Sequence, residues 1–170
     1  MRKILVAAAG AFVLSIAANA AAQTTKPVGL SIRAGVDFPT SSNRGGNNTL
    51  FGAGLEFKLQ NINAAGIGAP NSNAHLSISA DYYGKDSAYN LPVLLNYVGT
   101  NNEFFYSVGA GVSFSKGGNN NGNNETGFGY QAGIGYNFAQ SQTPLFMEAK
   151  YFGNSNSRLN AIGVYLGIRL

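Results

Sequence analysis

His75 is the only histidine in the chain, and Ser77 stands two residues beyond it. On an extended backbone, residues two apart point the same way, so this pair could set an imidazole beside a hydroxyl. Activation of a serine by a histidine needs hydrogen-bond reach and an acid that orients the ring. No glutamate follows until Glu103. The expectation is therefore a histidine hydrogen-bonded to its neighbours, and no residue is assigned a catalytic role. The chain has no cysteine, which excludes disulfides, thiol catalysis and cysteine-based metal sites. Neither a metal nor a cofactor is expected. The stretch GAGVSFSKGG, 109–118, lacks the Lys-Ser/Thr pair and the following helix that a phosphate-binding loop requires.

A larger group of residues with chemical potential is ionic. Arg33, Lys58, Lys150 and Arg169 alternate in phase with Asp37, Glu56, Asp81 and Glu148, four of each sign. If they share one interior they must pair or meet water, because an isolated buried charge costs several kcal/mol. A first hairpin roughly symmetric about Arg44 would set Arg33 opposite Glu56, close enough for an ion pair. The expected role is a network that closes and rigidifies the interior. The same balanced charge beside a Gly-rich wall admits a narrow ion path as the alternative.

The elements that must carry these residues are strands. Eight alternating segments fall at 28–38, 50–60, 73–83, 89–98, 103–115, 126–138, 145–152 and 160–170, separated by Gly/Asn/Ser/Pro clusters. Most approach the 9–11 residues that a tilted strand needs to cross a bilayer. One face of them is apolar and uncharged, as in Phe104, Tyr106, Val108, Ala110, Val112 and Phe114. The other carries glycine, serine and the eight charges, with Leu94, Phe105, Phe146 and Phe152 as its few bulky apolar members. An eight-stranded barrel has room inside only for side chains to fill, so the apolar face must point outward and the Gly/Ser face inward. A charge on the lipid side near mid-membrane would cost about 2–4 kcal/mol. A two-sheet sandwich or a lipocalin-like soluble barrel would instead leave a Gly-rich, charge-poor exterior. Phe57, Tyr97, Phe104, Tyr106, Tyr136 and Phe138 are expected near one rim. Phe38, Phe51, Tyr82, Phe114, Phe128, Tyr130 and Tyr151 are expected near the other, as two membrane interfaces select.

The ends agree with that architecture. MRKILVAAAGAFVLSIAANAAAQ has two cations, an apolar run and small residues before Gln23, the pattern of a secretory signal peptide over 1–22, with cleavage between Ala20 and Ala22. The barrel domain is then 23–170. The formal charge of +4 owes two units to Arg2 and Lys3 in this leader, and no basic stripe suits nucleic acid. Connections after the odd-numbered strands read as longer outer loops. Those after the fourth and sixth read as short periplasmic turns, whereas the one at 61–72 is long. Each outer loop carries one cation, Arg44, Lys85, Lys116 and Arg158, against Asp86 and Glu125. These cations could meet lipopolysaccharide phosphates at the membrane surface.

LPVLLNYV followed by FFYSVGAGVSFS, and FMEAKYFGN before the terminal NAIGVYLGIRL, resemble the small outer-membrane β-barrel proteins, such as the OmpA transmembrane domain and OmpX, of the porin-family barrel type. The resemblance covers residues 23–170. It implies an all-β, eight-stranded antiparallel up-and-down barrel, expected to be monomeric, in the outer membrane of a Gram-negative-type bacterium, inserted by the outer-membrane assembly machinery. Such machinery reads an amphipathic last strand that usually ends in an aromatic, and here the last residue is Leu170. The His-x-Ser spacing is similar to that of outer-membrane lipid A deacylases, which also use a glutamate, so lipid A modification stands as the remote alternative. The expected function is structural and envelope-associated, with small-solute passage second.

Overall fold

The computed structural model describes residues 29–40, 49–62, 72–85, 88–117, 124–138, 144–155 and 159–170. Alternation of apolar and small residues along each segment gives eight strands. These are β1 (Leu30–Pro39), β2 (Leu50–Ile62), β3 (Ser72–Lys85), β4 (Ala88–Asn101), β5 (Phe104–Lys116), β6 (Asn124–Asn137), β7 (Leu145–Asn154) and β8 (Ala161–Arg169). Each pairs antiparallel with the next and β8 closes on β1, an up-and-down barrel with no free sheet edge. Closure satisfies the backbone hydrogen bonds of every strand.

The sequence segments match these strands to within a few residues. β2 runs on to Ile62, so the beginning of the long connection is strand. Residues 63–71 lie outside the described residues, as do the leader at 1–22, Arg44, Asp86 and Arg158. The β4–β5 turn comprises Asn102 and Glu103, and Asn102 takes φ 54°, a left-handed value that asparagine tolerates better than most residues. The first hairpin departs from the expected register. Ser31 pairs with Glu56 and Arg33 with Gly54, which places Glu56 diagonal to Arg33.

The faces divide as size demands. Phe51, Ile134 and Leu166 on the outer face are 70%, 69% and 64% exposed, while Asp81 and Tyr83 on the inner face are fully buried. Two bands of aromatics ring the exterior. At the end that holds the termini, Tyr97 packs on Tyr106, Phe104 on Tyr136 and Tyr136 on Phe138, with centroids 5.0–6.1 Å apart. At the loop end the contacts are Tyr82–Tyr89, Phe128–Tyr130 and Tyr130–Tyr151, at 5.8–6.2 Å. Between the bands lie aliphatic residues such as Leu95, Val108, Val164 and Leu166, all exposed. An apolar belt between aromatic girdles is what the two interfaces of a bilayer stabilise.

The lumen as candidate functional site

Inward-facing side chains fill the barrel in three layers. At the terminus end, Val98, Phe105 and Phe146 form a buried apolar cluster, the two rings meeting edge to face at 5.8 Å. The Arg169 guanidinium lies 4.7 Å and 4.9 Å from their centroids and donates to the Asn137 side-chain oxygen. The ring quadrupoles and this carbonyl offset part of its desolvation.

The middle layer is ionic. Arg33 grips Asp81 with two parallel bonds, Nε to Oδ1 at 2.7 Å and Nη2 to Oδ2 at 2.8 Å. Its third nitrogen reaches Glu56 Oε2 at 3.0 Å and lies 3.6 Å from Glu148 Oε2. Lys150 Nζ stands 3.8 Å from Asp81 and 3.7 Å from Glu148. The planar fork of arginine suits this site because it bonds several carboxylates in fixed directions. Gly54 makes the approach possible: a Cβ there would sit 2.0 Å from Asp81 Oδ1. Beside the ions runs a neutral chain, with Gln131 donating to Asn96 at 2.6 Å and Asn96 to Ser79 at 3.0 Å. Ser107 donates to Glu148.

At the loop end Leu50, Tyr83, Phe152, Ala161 and Tyr165 form the second buried apolar cluster. Their polar tips are bonded. The Tyr165 hydroxyl lies 2.6–2.7 Å from both oxygens of Asp37, Tyr83 donates to the Leu159 carbonyl at 2.7 Å, and Asn90 donates to the Tyr83 hydroxyl at 2.6 Å. The Lys150 ammonium faces the Phe152 ring at 5.5 Å. Around Arg33, Glu56, Glu148 and Arg169 the free space is about 10 Å³, room for about one water.

Five of the eight expected lumen charges, Arg33, Glu56, Asp81, Glu148 and Lys150, thus join one cluster of two cations and three carboxylates. Asp37 and Arg169 lie in the lumen but bond to a tyrosine hydroxyl and to aromatic rings instead. Lys58 departs from the expectation: it is exposed. It is the last lumen-phase residue of β2 before an irregularity between Lys58 and Gln60, and at the mouth its long stem reaches water. His75 is half-buried near the same end. Ser77 is fully buried beside the Glu56 carboxylate, and no hydrogen bond joins its Oγ to the imidazole. Glu103 is exposed in the β4–β5 turn. Lys85 ends β3, exposed, and Lys116 ends β5, half-buried. The functional residues that charge patterning alone misses are Tyr83, Tyr165 and the Asn96–Gln131 pair. One sequence signal for Tyr165 exists, since it stands in the inward phase between Gly163 and Gly167, which leave a large ring its space.

No protein-family model and no curated protein matches the chain. Among solved structures, the outer membrane enzyme PagL is similar to it at 15% identity and TM-score 0.53, over 83% of this chain and 97% of that one. The Yersinia pestis outer membrane protein Ail, at 15% identity and TM-score 0.48, covers 83% of this chain and 98% of its own. The N-terminal β-barrel domain of Pseudomonas aeruginosa OprF, at 16% and 0.46, covers 84% and 97%.

Proposed function

We infer that this chain, which shares the fold of the small eight-stranded outer-membrane barrels, is an integral outer-membrane protein with a structural, envelope-associated role. One observation carries the reading: five of the lumen charges, Arg33, Glu56, Asp81, Glu148 and Lys150, are paired with one another in a middle layer that an aromatic layer closes at each end. A conducting pore needs a continuous wet path past its charges. Here the Phe105–Phe146 pair with Arg169 fills one mouth, and Tyr83, Phe152 and Tyr165 fill the other. The ion cluster then ties β1, β2, β3 and β7 together across the barrel axis, a bracing role.

Catalysis is not part of this proposal. The one serine two residues from the histidine is buried and has no hydrogen bond to the imidazole, which speaks against lipid A modification. Export by the leader, insertion by the outer-membrane assembly machinery and a monomeric state complete the proposal. Lys85 and Lys116, at the strand ends that carry the outer loops, would face lipopolysaccharide phosphates, with Arg44 and Arg158 in the loops beyond.

Planar-bilayer recording of the refolded mature chain tests the reading. A silent membrane with no discrete conductance steps is expected, and reproducible unitary steps would replace the bracing role with the narrow porin-like channel.

A further inference from the structure

The lipid-facing phase of the eight strands carries one charged side chain among the described residues, Lys116. By strand alternation it continues the outward row Val108, Ala110, Val112 and Phe114 of β5. Lys85 and Glu125, at the same end of the barrel, take the opposite phase, that of Tyr83 and Gly127. At the terminus end the outward rows close in aromatics such as Phe104, Tyr136 and Phe138, with no cation among the described residues. The exterior therefore places its one charge at the loop-end rim.

The neighbours of Lys116 are hydrogen-bonding residues. Tyr89 on β4 and Asn124 on β6 pair with it directly and so share its face. One rung toward the middle of the wall lie Leu91, Phe114 and Thr126, which puts Lys116 on the loop side of the aromatic band. It is half-buried there, and a lysine in such a place runs its stem along apolar surface and lifts its ammonium to headgroup level. Tyr82 stacks on Tyr89 with ring centroids 5.8 Å apart, and the Tyr89 hydroxyl reaches across β5 to donate to Asn124 Oδ1 at 3.5 Å. That contact orients the amide. With its oxygen toward Tyr89, Asn124 turns the two N–H donors of Nδ2 the other way, and its side chain is exposed. An ammonium and an amide donor thus stand on adjacent strands, with no carboxylate in their phase among the described residues.

We propose that Lys116 and Asn124 form a binding site for one phosphomonoester on a lipopolysaccharide of the outer leaflet, with Tyr89 orienting the amide and Tyr82 bracing Tyr89. The proposal rests on the reading of the loop end as the outer side of the membrane. Phosphate oxygens accept from the ammonium and from the amide N–H, and bonds of this kind between ions are the strong ones. A monoester presents three acceptor oxygens and close to two negative charges, more than the phosphodiester of an ordinary phospholipid offers. Lys85, in the lumen phase, stands over the mouth of the barrel and is not part of this site.

The test titrates the mature chain, refolded in a zwitterionic detergent, with phosphorylated lipid A and counts retained lipid by native mass spectrometry, with folding of each variant checked by heat-modifiable gel migration. Saturable retention is expected, and dephosphorylated lipid A and phosphatidylethanolamine should bind more weakly. Lys116→Gln should weaken retention about fivefold, the size expected of one surface cation on an anionic membrane. Asn124→Asp, which sets a carboxylate against the phosphate, should weaken it further. Lys116→Arg, which keeps the charge, should stay within about twofold of the unsubstituted chain, and Lys85→Gln should leave retention unchanged. Lipid A held equally by folded Lys116→Gln, held equally without its phosphates, or lost as much with Lys85→Gln would overturn this site while leaving the rim's lipopolysaccharide contacts in place. No retention by the unsubstituted chain would remove both.

Discussion

Replacing Arg33 with methionine keeps an unbranched stem and removes the cation at the centre of the lumen. Asp81 then loses both of its bonds to the guanidinium, and the cation left beside it is Lys150, with Nζ at 3.8 Å. Three carboxylates face one ammonium. Asp81 is fully buried and Glu148 is 2% exposed, so water cannot take over, and removal of one partner from such a cluster costs about 3–5 kcal/mol. The second substitution gives the sharper result. Asp81→Asn in the Arg33→Met background discharges the orphaned carboxylate, so the double variant should be more stable than Arg33→Met by about 1–3 kcal/mol, the size of couplings within one network. Lys58→Met, at the exposed mouth, should change stability by no more than about 0.5 kcal/mol. Urea unfolding of the mature chain from lipid vesicles measures all three, with the folded fraction read from heat-modifiable gel migration and tyrosine fluorescence. A cost below about 1 kcal/mol for Arg33→Met, or a double variant no more stable than the single one, would refute the view that the cluster braces the barrel.

Two further outcomes probe the packing of each face. Gly109→Ala would bring a Cβ to 1.9 Å from Asn96 Oδ1. That displaces the amide from Gln131 and Ser79 and should cost about 1–3 kcal/mol as overpacking does; an unchanged urea midpoint would show that the lumen has slack. Ala132→Arg, on the outer face between the aromatic bands, should cost about 2–4 kcal/mol in vesicles. The same arginine placed at Asn101, by the β4–β5 turn, should cost close to nothing, and equal costs at both depths would argue against a lipid-facing belt.

Much of this protein is legible in the order of its residues. A side-chain period of two, repeated eight times and broken by Gly/Asn/Ser/Pro clusters, determines strands. The volumes on the two faces determine which is inside, since Gly, Ser and a few charges fit a small barrel and rows of Phe, Leu and Tyr do not. Even the inward bulky residues Leu94, Phe105, Phe146 and Phe152 follow from phase alone, and all four are buried. The partners within the lumen are different. Asp37 has Arg33 four residues away in the sequence yet bonds Tyr165, 128 positions distant. Arg169 lies in the same phase as the acids and stacks on Phe105 and Phe146. Glu56 reaches Arg33 diagonally, because Gly54 occupies the place directly opposite. Alternation gives each residue a side of the wall but neither a height nor a neighbour across the axis. Those depend on the register between strands and on the tilt that closure imposes, which only the assembled barrel determines.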